Sequence, residues 1–160
     1  MTKIDYRLNA IVDASLADVA PLSQLAVIAA HHGATIIQYR DKTASTRQMI
    51  EQAATIKDAL KGTGVPLVIN DRLDVAMAMG ADGVHLGADD MDPETARRLL
   101  GPDAIIGLTI KSMGDALRVA KASADYACIG GVFETTSKIN PDMPVGLAGL
   151  RELRTYLRDE

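Results

Sequence analysis

The sequence predicts an α/β fold in which a parallel β-sheet is covered by helices. Short apolar runs alternate along the chain with longer segments that have apolar residues at helical spacing. The short runs are apolar throughout, which is typical of parallel strands that are buried on both faces. With 160 residues and no Pro- or Gly-rich linker, the chain is expected to form a single domain over residues 1–160.

Six segments are predicted strands because each combines Ile, Val or Leu with a following glycine or polar residue, the pattern of a buried strand that ends at a loop. A longer segment separates each strand from the next, as expected for crossover connections in a parallel sheet. The predicted strands cover residues 7–13, 34–40, 66–70, 83–86, 104–109 and 125–131.

A predicted helix follows each strand. In the second helix, apolar residues recur on one face from Met49 onward. The fourth begins at Asp92 and Pro93, an N-cap residue followed by a first-turn proline. The fifth begins with Ser112 and Asp115, which have the spacing of a capping box. The predicted helices cover residues 16–31, 45–60, 73–79, 93–100, 112–123 and 145–158.

Six βα units are compatible with two architectures. One is an open doubly wound sheet, whose ligand crevice lies where the strand order reverses. The other is a (β/α)8 barrel, which typically has about 250 residues. Because six units are two short of eight, the count argues against a complete barrel.

Composition argues against several classes of function. The net charge is −4 and Lys and Arg are scattered, so there is no basic stripe for nucleic acid. No apolar run approaches the roughly 20 residues that cross a bilayer, and the N-terminus lacks a signal peptide pattern. Cys128 is the single cysteine, indicates a reducing compartment, and is expected to be buried in its strand. We therefore expect a cytoplasmic protein with no nucleic-acid or membrane partner.

Polar residues follow almost every predicted strand. In both architectures the ligand site forms at the carboxyl ends of the strands, so these residues should converge. Carboxylates there suit Mg²⁺, which shares its coordination with phosphate oxygens, and Arg and Lys suit a diphosphate. The sequence therefore predicts a site for magnesium and phosphate. The residues include Gln38, Arg40, Lys42, Asn70, Asp71, His85, Asp89, Asp90, Thr109, Lys111, Ser112, Thr135, Thr136, Ser137 and Lys138.

Several of these residues also have a structural interpretation. Asp71 is compatible with a solvated loop or a helix cap, and Asp89 and Asp90 are compatible with the start of the next helix, where the dipole favours acids. His85 lies within an apolar strand, so we expect a packed, hydrogen-bonded histidine instead of a ligand. The residue types alone leave the role of the acids open.

Four segments, in this order and spacing, resemble the thiamine-phosphate synthase family. They are QYRDK, VINDRLDVAMAMGADGVHLGADD, IIGLTIKS and DYACIGGVFETTSK, and the resemblance extends from Arg7 to about Leu153. It implies a TIM (β/α)8 barrel and a transferase of thiamine biosynthesis. Such an enzyme couples 4-amino-5-hydroxymethyl-2-methylpyrimidine diphosphate with thiazole phosphate and, with Mg²⁺, releases diphosphate and thiamine monophosphate.

The resemblance also implies roles for individual residues. Asp71 and Asp90 match the two magnesium ligands, and Asn70 matches a diphosphate contact. Thr109 and Lys138 match the catalytic positions, where Lys138 contacts the diphosphate and Thr109 replaces the family's usual Ser. The other implied substrate-binding residues are Gln38, Arg40 and Lys42 for the pyrimidine diphosphate, and Thr135 and Ser137 for the thiazole phosphate.

The main departure from the family is length. The seventh and eighth βα units have no counterpart, so we expect a barrel truncated after about six units. The first and last strands would then be unpaired edges, and such a chain is expected to be marginally stable or to aggregate unless a partner subunit, such as a second copy in a homo-oligomer, fills the gap.

Two other functions compete with the transferase. A related thiazole tautomerase needs a proton-transferring His two residues after the Ser-like position, where this chain has Lys111. A non-catalytic barrel fragment that binds phosphate or the pyrimidine is the third hypothesis. Retention of Arg40, Lys42, Asn70 and Lys138 favours the transferase, because those residues suit a diphosphate substrate.

Overall fold

The computed structural model describes residues 4–119, 122–134 and 143–157. Six parallel strands form one sheet in the order β1-β2-β3-β4-β5-β6, so every strand pairs with its neighbour in sequence. The strands are β1 Asn9–Asp13, β2 Ile36–Arg40, β3 Leu67–Asn70, β4 Gly83–Leu86, β5 Ile105–Ile110 and β6 Tyr126–Ile129.

A helix follows each strand, as predicted. In the described part of the chain, no helix has the length and apolar character needed to cross a membrane. The helices are α1 Leu22–His31, α2 Thr46–Ala59, α3 Leu73–Met79, α4 Pro93–Leu100, α5 Met113–Val119 and α6 Gly146–Arg154.

The first helix is shorter than predicted. Residues Ala14–Leu16 form a 3-10 turn, and α1 begins only after Pro21. The proline ring disfavours helical geometry at the residue before it, which separates the two segments. The expected capping signals for the later helices are confirmed, since the Asp92 carboxylate accepts a hydrogen bond from the Thr95 amide at 2.9 Å.

The sequential strand order decides between the two architectures. A doubly wound sheet reverses its strand order at a switch point, whereas a (β/α)8 barrel adds each strand beside the preceding one. The sheet has no reversal from β1 to β6. The fold is therefore a TIM-like barrel arrangement that contains six βα units.

Alternation along each strand separates two apolar layers. Ile37 and Tyr39 of β2 are fully buried on the outer face, where they pack with Met49 of α2. Ile36 lies on the other face of β2, which it shares with Gln38, and packs with Val68 in the barrel interior. Gln38 and Arg40 therefore continue the inner face toward the carboxyl end of β2.

Cys128 corrects one expectation, because it is exposed instead of buried. Alternation places Cys128 on the same inner face of β6 as Tyr126. Strand β6 is the last in the sheet order, so within the described residues no further strand covers that face. Ile11 on the inner face of β1, the first strand, is 53% exposed for the same reason.

Candidate active site

The carboxyl ends of the strands surround a cleft of about 680 Å³. Residues of β2, β3 and β5 and of the loops that follow β2 to β6 line this cleft, which is the convergence that the sequence predicted. Nine of the predicted site residues lie on the wall of the cleft: Arg40, Lys42, Asn70, Asp71, Asp89, Asp90, Thr109, Lys111 and Ser112.

The side chain of Asp90 folds back toward the carboxyl end of β4. Its Oδ2 accepts a hydrogen bond from the Gly87 amide at 2.6 Å. Burial raises the pKa of the Asp90 carboxyl, and the neighbouring Asp71 carboxylate raises it further, while the Gly87 amide and Lys42 oppose the change. Two acids that share one site in this way repel each other when both are ionised.

Asp71 has an unusual backbone. Its φ is 61°, in the left-handed region that residues with a side chain rarely adopt. The Arg72 amide donates to the Asn70 carbonyl at 2.7 Å across Asp71, and the Asp71 amide donates to the His85 carbonyl at 2.8 Å. This tight turn directs the carboxylate into the cleft, where it pairs with Lys42. Backbone strain of this kind clusters at functional sites.

Asp71, Asp89 and Asp90 are not the N-cap residues of the helices that follow them. Asp92, not Asp89 or Asp90, caps α4 with its side chain. The residue at the N-cap position of α3 is Arg72, and its side chain makes no capping hydrogen bond. Asp71 and Asp90 therefore face each other at the cleft without a capping function.

Two cationic residues of the cleft form ion pairs with acids at the ends of neighbouring strands. Arg40 at the end of β2 pairs with Asp13 at the end of β1, and Lys42 pairs with Asp71. Among the described lining residues, acidic groups outnumber cationic groups by one, because the cations are Arg40, Lys42 and Lys111 and the acids are Asp71, Asp89, Asp90 and Asp115.

The structure does not bring every predicted residue to the wall. Gln38 is 3% exposed and lies one layer below Arg40, because residues two apart on a strand share a face but differ in depth by about 6.6 Å. Thr135, Thr136, Ser137 and Lys138 lie outside the described residues.

Sequence reasoning did not anticipate the contacts behind Thr109. As expected, His85 is buried and hydrogen-bonded, with 6% of its surface exposed. Its Nε2 lies 2.8 Å from Thr109 Oγ1, and its Nδ1 lies 2.9 Å from the Tyr126 phenolic oxygen. Asn9 Nδ2 donates to the same phenolic oxygen at 3.3 Å. Inward positions on four strands could have suggested this cluster.

The donor set suits a hard cation that is shared with a phosphate ligand. No group of three or more His, Cys, Asp or Glu residues that could hold a metal occurs in the described ranges. Asp71 and Asp90 supply two neighbouring carboxylates, and Mg²⁺ usually takes only one or two carboxylates, filling its other positions with water and substrate phosphate oxygens.

Comparison with known proteins identifies close similarity to one family. A family model described as thiamine monophosphate synthase matches residues 8–158. A thiamine-phosphate synthase of Agrobacterium fabrum is 69% identical over 159 residues, which cover 99% of this chain and 72% of that enzyme. One from Chloroflexus aurantiacus is 44% identical over 154 residues, covering 96% of this chain and 71% of that enzyme.

A solved structure is also similar. It is a thiamine phosphate pyrophosphorylase from Pyrococcus furiosus, with a TM-score of 0.77 and 34% sequence identity. The similarity covers 94% of this chain and 71% of that one. The relatives are therefore similar to this chain in both sequence and fold.

Proposed function

This chain belongs to the thiamine monophosphate synthase family, and we infer from that membership that it is a transferase of thiamine biosynthesis. The reaction joins 4-amino-5-hydroxymethyl-2-methylpyrimidine diphosphate to thiazole phosphate and yields thiamine monophosphate and diphosphate. In a dissociative substitution, the carbon–oxygen bond to diphosphate breaks first, and the thiazole nitrogen then forms the new bond to the pyrimidine methylene carbon.

One observation carries the assignment of the cleft as the active site. The cleft combines a pair of neighbouring carboxylates, from Asp71 and Asp90, with the cations of Arg40 and Lys42 on the same wall. A departing diphosphate gains negative charge as its bond breaks, so preorganised positive groups lower the barrier. This combination suits phosphate chemistry better than acyl transfer or hydrolysis by a nucleophile.

Asp71 and Asp90 are the residues proposed to hold Mg²⁺. A bound Mg²⁺ would neutralise the two acids and supply positive charge to the diphosphate oxygens. Without such a cation, the excess of acidic groups among the described lining residues would oppose binding of a diphosphate.

The remaining roles follow from charge and depth. Arg40 and Lys42 are proposed to hold the diphosphate, with Asn70 as a hydrogen-bond donor to it. Gln38, buried one layer deeper, is proposed to contact the pyrimidine ring. Lys138 is proposed to act on the diphosphate as it departs, and Thr135 and Ser137 to hold the thiazole phosphate. These last three assignments rest on the sequence motif alone.

The alternative functions are less well supported. The related tautomerase has a proton-transferring His at the position where this chain has Lys111, and Lys111 lines the cleft. A non-catalytic binding protein would not need two neighbouring acids beside cations that suit a leaving group. The named relatives are synthases, and this favours the transferase over both alternatives.

The direct test is turnover by the purified chain. We expect thiamine monophosphate to form from the two substrates with Mg²⁺, to be lost with a chelator and to return when Mg²⁺ is added in excess. Product is measured by chromatography with fluorescence detection after oxidation. Tight binding of the pyrimidine diphosphate without any product would instead support the non-catalytic alternative.

A further inference from the structure

Behind the Thr109 hydroxyl lies a line of hydrogen-bonded polar groups, of which His85 is buried and Tyr126 and Asn9 are half-buried. Thr109 lines the cleft, whereas His85 lies deeper on the inner face of β4 and does not line it. His85 Nε2 is 2.8 Å from Thr109 Oγ1, and His85 Nδ1 is 2.9 Å from the Tyr126 oxygen. Both ring nitrogens are therefore engaged, one toward the cleft and one away from it.

The direction of each hydrogen bond in this line follows from the Asn9 amide, which lies at the end farthest from the cleft. With the Asn9 amide oriented as in the structure, its Nδ2 donates to the Tyr126 oxygen at 3.3 Å, so that oxygen accepts there and donates its own proton elsewhere. Burial raises the pKa of the Tyr126 phenol, which keeps the phenol protonated. Among the contacts of the described residues, His85 Nδ1 is the acceptor for this proton.

A neutral imidazole that accepts at Nδ1 carries its proton on Nε2. The Nε2–H then donates to Thr109 Oγ1, and the hydroxyl proton of Thr109 is left for another acceptor. The methyl group of Thr109 points toward Gly130, where an added Cβ would lie 3.1 Å from it. His85 thus holds one side of the Thr109 hydroxyl, and the hydroxyl proton is available to the cleft.

We propose that His85 is a positioning residue, whose Nε2–H tautomer, set by Tyr126, orients the Thr109 hydroxyl as a hydrogen-bond donor to the leaving diphosphate. The proposal rests on the proposed function for the identity of the acceptor. A donor aimed at an oxygen that gains charge stabilises the transition state more than the bound substrate. His85 therefore affects turnover through Thr109 without touching the substrate.

The opposite order of hydrogen bonds makes a different prediction. Asn9 Oδ1 is buried and has no hydrogen-bond partner among the described residues. If the Asn9 amide were turned over, Oδ1 would accept the Tyr126 proton, and the ring would carry its proton on Nδ1. Thr109 would then donate to Nε2 and have no proton for the diphosphate. The two hydrogen-bond arrangements can be distinguished by which ring nitrogen of His85 carries the proton.

The tautomer is measured directly in protein labelled with ¹⁵N-histidine. Long-range ¹H–¹⁵N spectra distinguish protonated from unprotonated ring nitrogens, and His85→Gln identifies the signals among the 3 histidines. We expect a protonated Nε2 and an unprotonated Nδ1 in the wild-type chain. Tyr126→Phe should abolish this preference, whereas Tyr6→Phe should retain it, because Tyr6 only stacks on Tyr126 at 5.3 Å. A protonated Nδ1 in the wild-type chain would overturn the proposal.

A pair of substitutions separates the two contacts of His85. Glutamine can set its amide nitrogen near the position of Nε2, whereas asparagine reaches only the Nδ1 side. We expect kcat to fall by about tenfold or more in His85→Asn and by about threefold or less in His85→Gln, with little change in KM for the pyrimidine diphosphate. Equal losses in both variants, with both folded, would contradict the positioning role.

A double-mutant cycle tests whether His85 acts through Thr109. His85→Asn should cost little further turnover in the Thr109→Val background, because the hydroxyl it positions is already absent. Losses that multiply would contradict the proposal. The measurements distinguish failure of the proposed function from failure of the positioning role of His85. An inactive wild-type chain with a protonated Nε2 would contradict the proposed function alone. An active chain with a protonated Nδ1 would contradict the positioning role alone.

Discussion

The carboxyls of Asp71 and Asp90 are direct neighbours at the mouth of the barrel, although the two residues are nineteen positions apart in the sequence. Asp71 follows β3 and Asp90 follows β4, and these two strands pair in parallel. Because the carboxyl ends of adjacent parallel strands meet at one edge, two separate loops can supply one cation site.

Asp90→Asn should separate a metal-binding role from a structural one. The amide oxygen can still accept from Gly87, and loss of one charge relieves repulsion from Asp71, so folding stability should be unchanged or higher. The Mg²⁺ concentration for half-maximal turnover should rise by about tenfold or more, on the order of 1.4 kcal/mol. Magnesium titration of turnover and urea denaturation provide the two measurements.

The neighbouring Asp89 is the matched comparison for this variant. Asp89 is exposed, and no hydrogen bond of its side chain is seen in the described structure. Asp89→Asn should change the magnesium requirement much less than Asp90→Asn. Equal shifts in the two variants would mean that general charge at the cleft, not ligation by Asp90, sets the requirement.

Gly130→Ala should reduce turnover by displacing Thr109. A Cβ at Gly130 would lie 3.1 Å from the Thr109 methyl carbon, which is tighter than ordinary contact, so Thr109 must shift by a few tenths of an ångström. We expect a loss in kcat of about threefold to tenfold, measured under saturating substrates. Thr109→Ser removes the methyl and should restore turnover in the double variant. No rescue would mean that the added methyl acts elsewhere.

Asp115 should make stability depend on pH in the acid range. Burial raises the pKa of the Asp115 carboxyl, but hydrogen bonds from Ser112, from the Lys111 amide and from Arg118 outweigh it and hold the pKa below its ordinary value. Its contribution is therefore complete above the unfolded pKa of about 3.9 and is lost as pH falls through the lower folded pKa.

Asp115→Asn tests this dependence. The variant should unfold with about 1–2 kcal/mol less free energy near pH 7, and the difference should shrink below about pH 4. Asp58→Asn is the control, since that exposed carboxylate pairs only with Lys61 and should change stability by about 0.5 kcal/mol or less. Urea denaturation at several pH values measures both, and a difference that does not vary with pH would contradict the assignment.

Ser45 should stabilise α2 through its capping box. The Gln48 amide donates to Ser45 Oγ at 3.4 Å, and the Ser45 amide donates to Gln48 Oε1 at 3.0 Å. Ser45→Ala should lower the free energy of unfolding by about 1 kcal/mol, and Ser45→Asp should retain most of it. Denaturation midpoints at constant m-value provide the measurement, and an unchanged midpoint in the alanine variant would contradict the role.

Much of the fold was predictable because its signals are local. The period of apolar residues identified all twelve strands and helices, and α3 and β4 match their predicted bounds. Polar residues at the strand ends also identified most of the cleft wall, since an α/β fold directs those ends to one side. The break before α1 was missed, because the effect of Pro21 competes with a continuous apolar pattern.

The amino-acid sequence by itself determined the order of the βα units, the acids and cations of the candidate site and, through its motifs, the family. Tertiary structure decided what depends on pairing between distant strands. It joined Arg40 to Asp13, set Gln38 one layer deep, exposed Cys128 and connected His85 to Thr109. Depth and partner choice depend on strand register and position in the sheet, and neither is encoded within a local stretch of sequence.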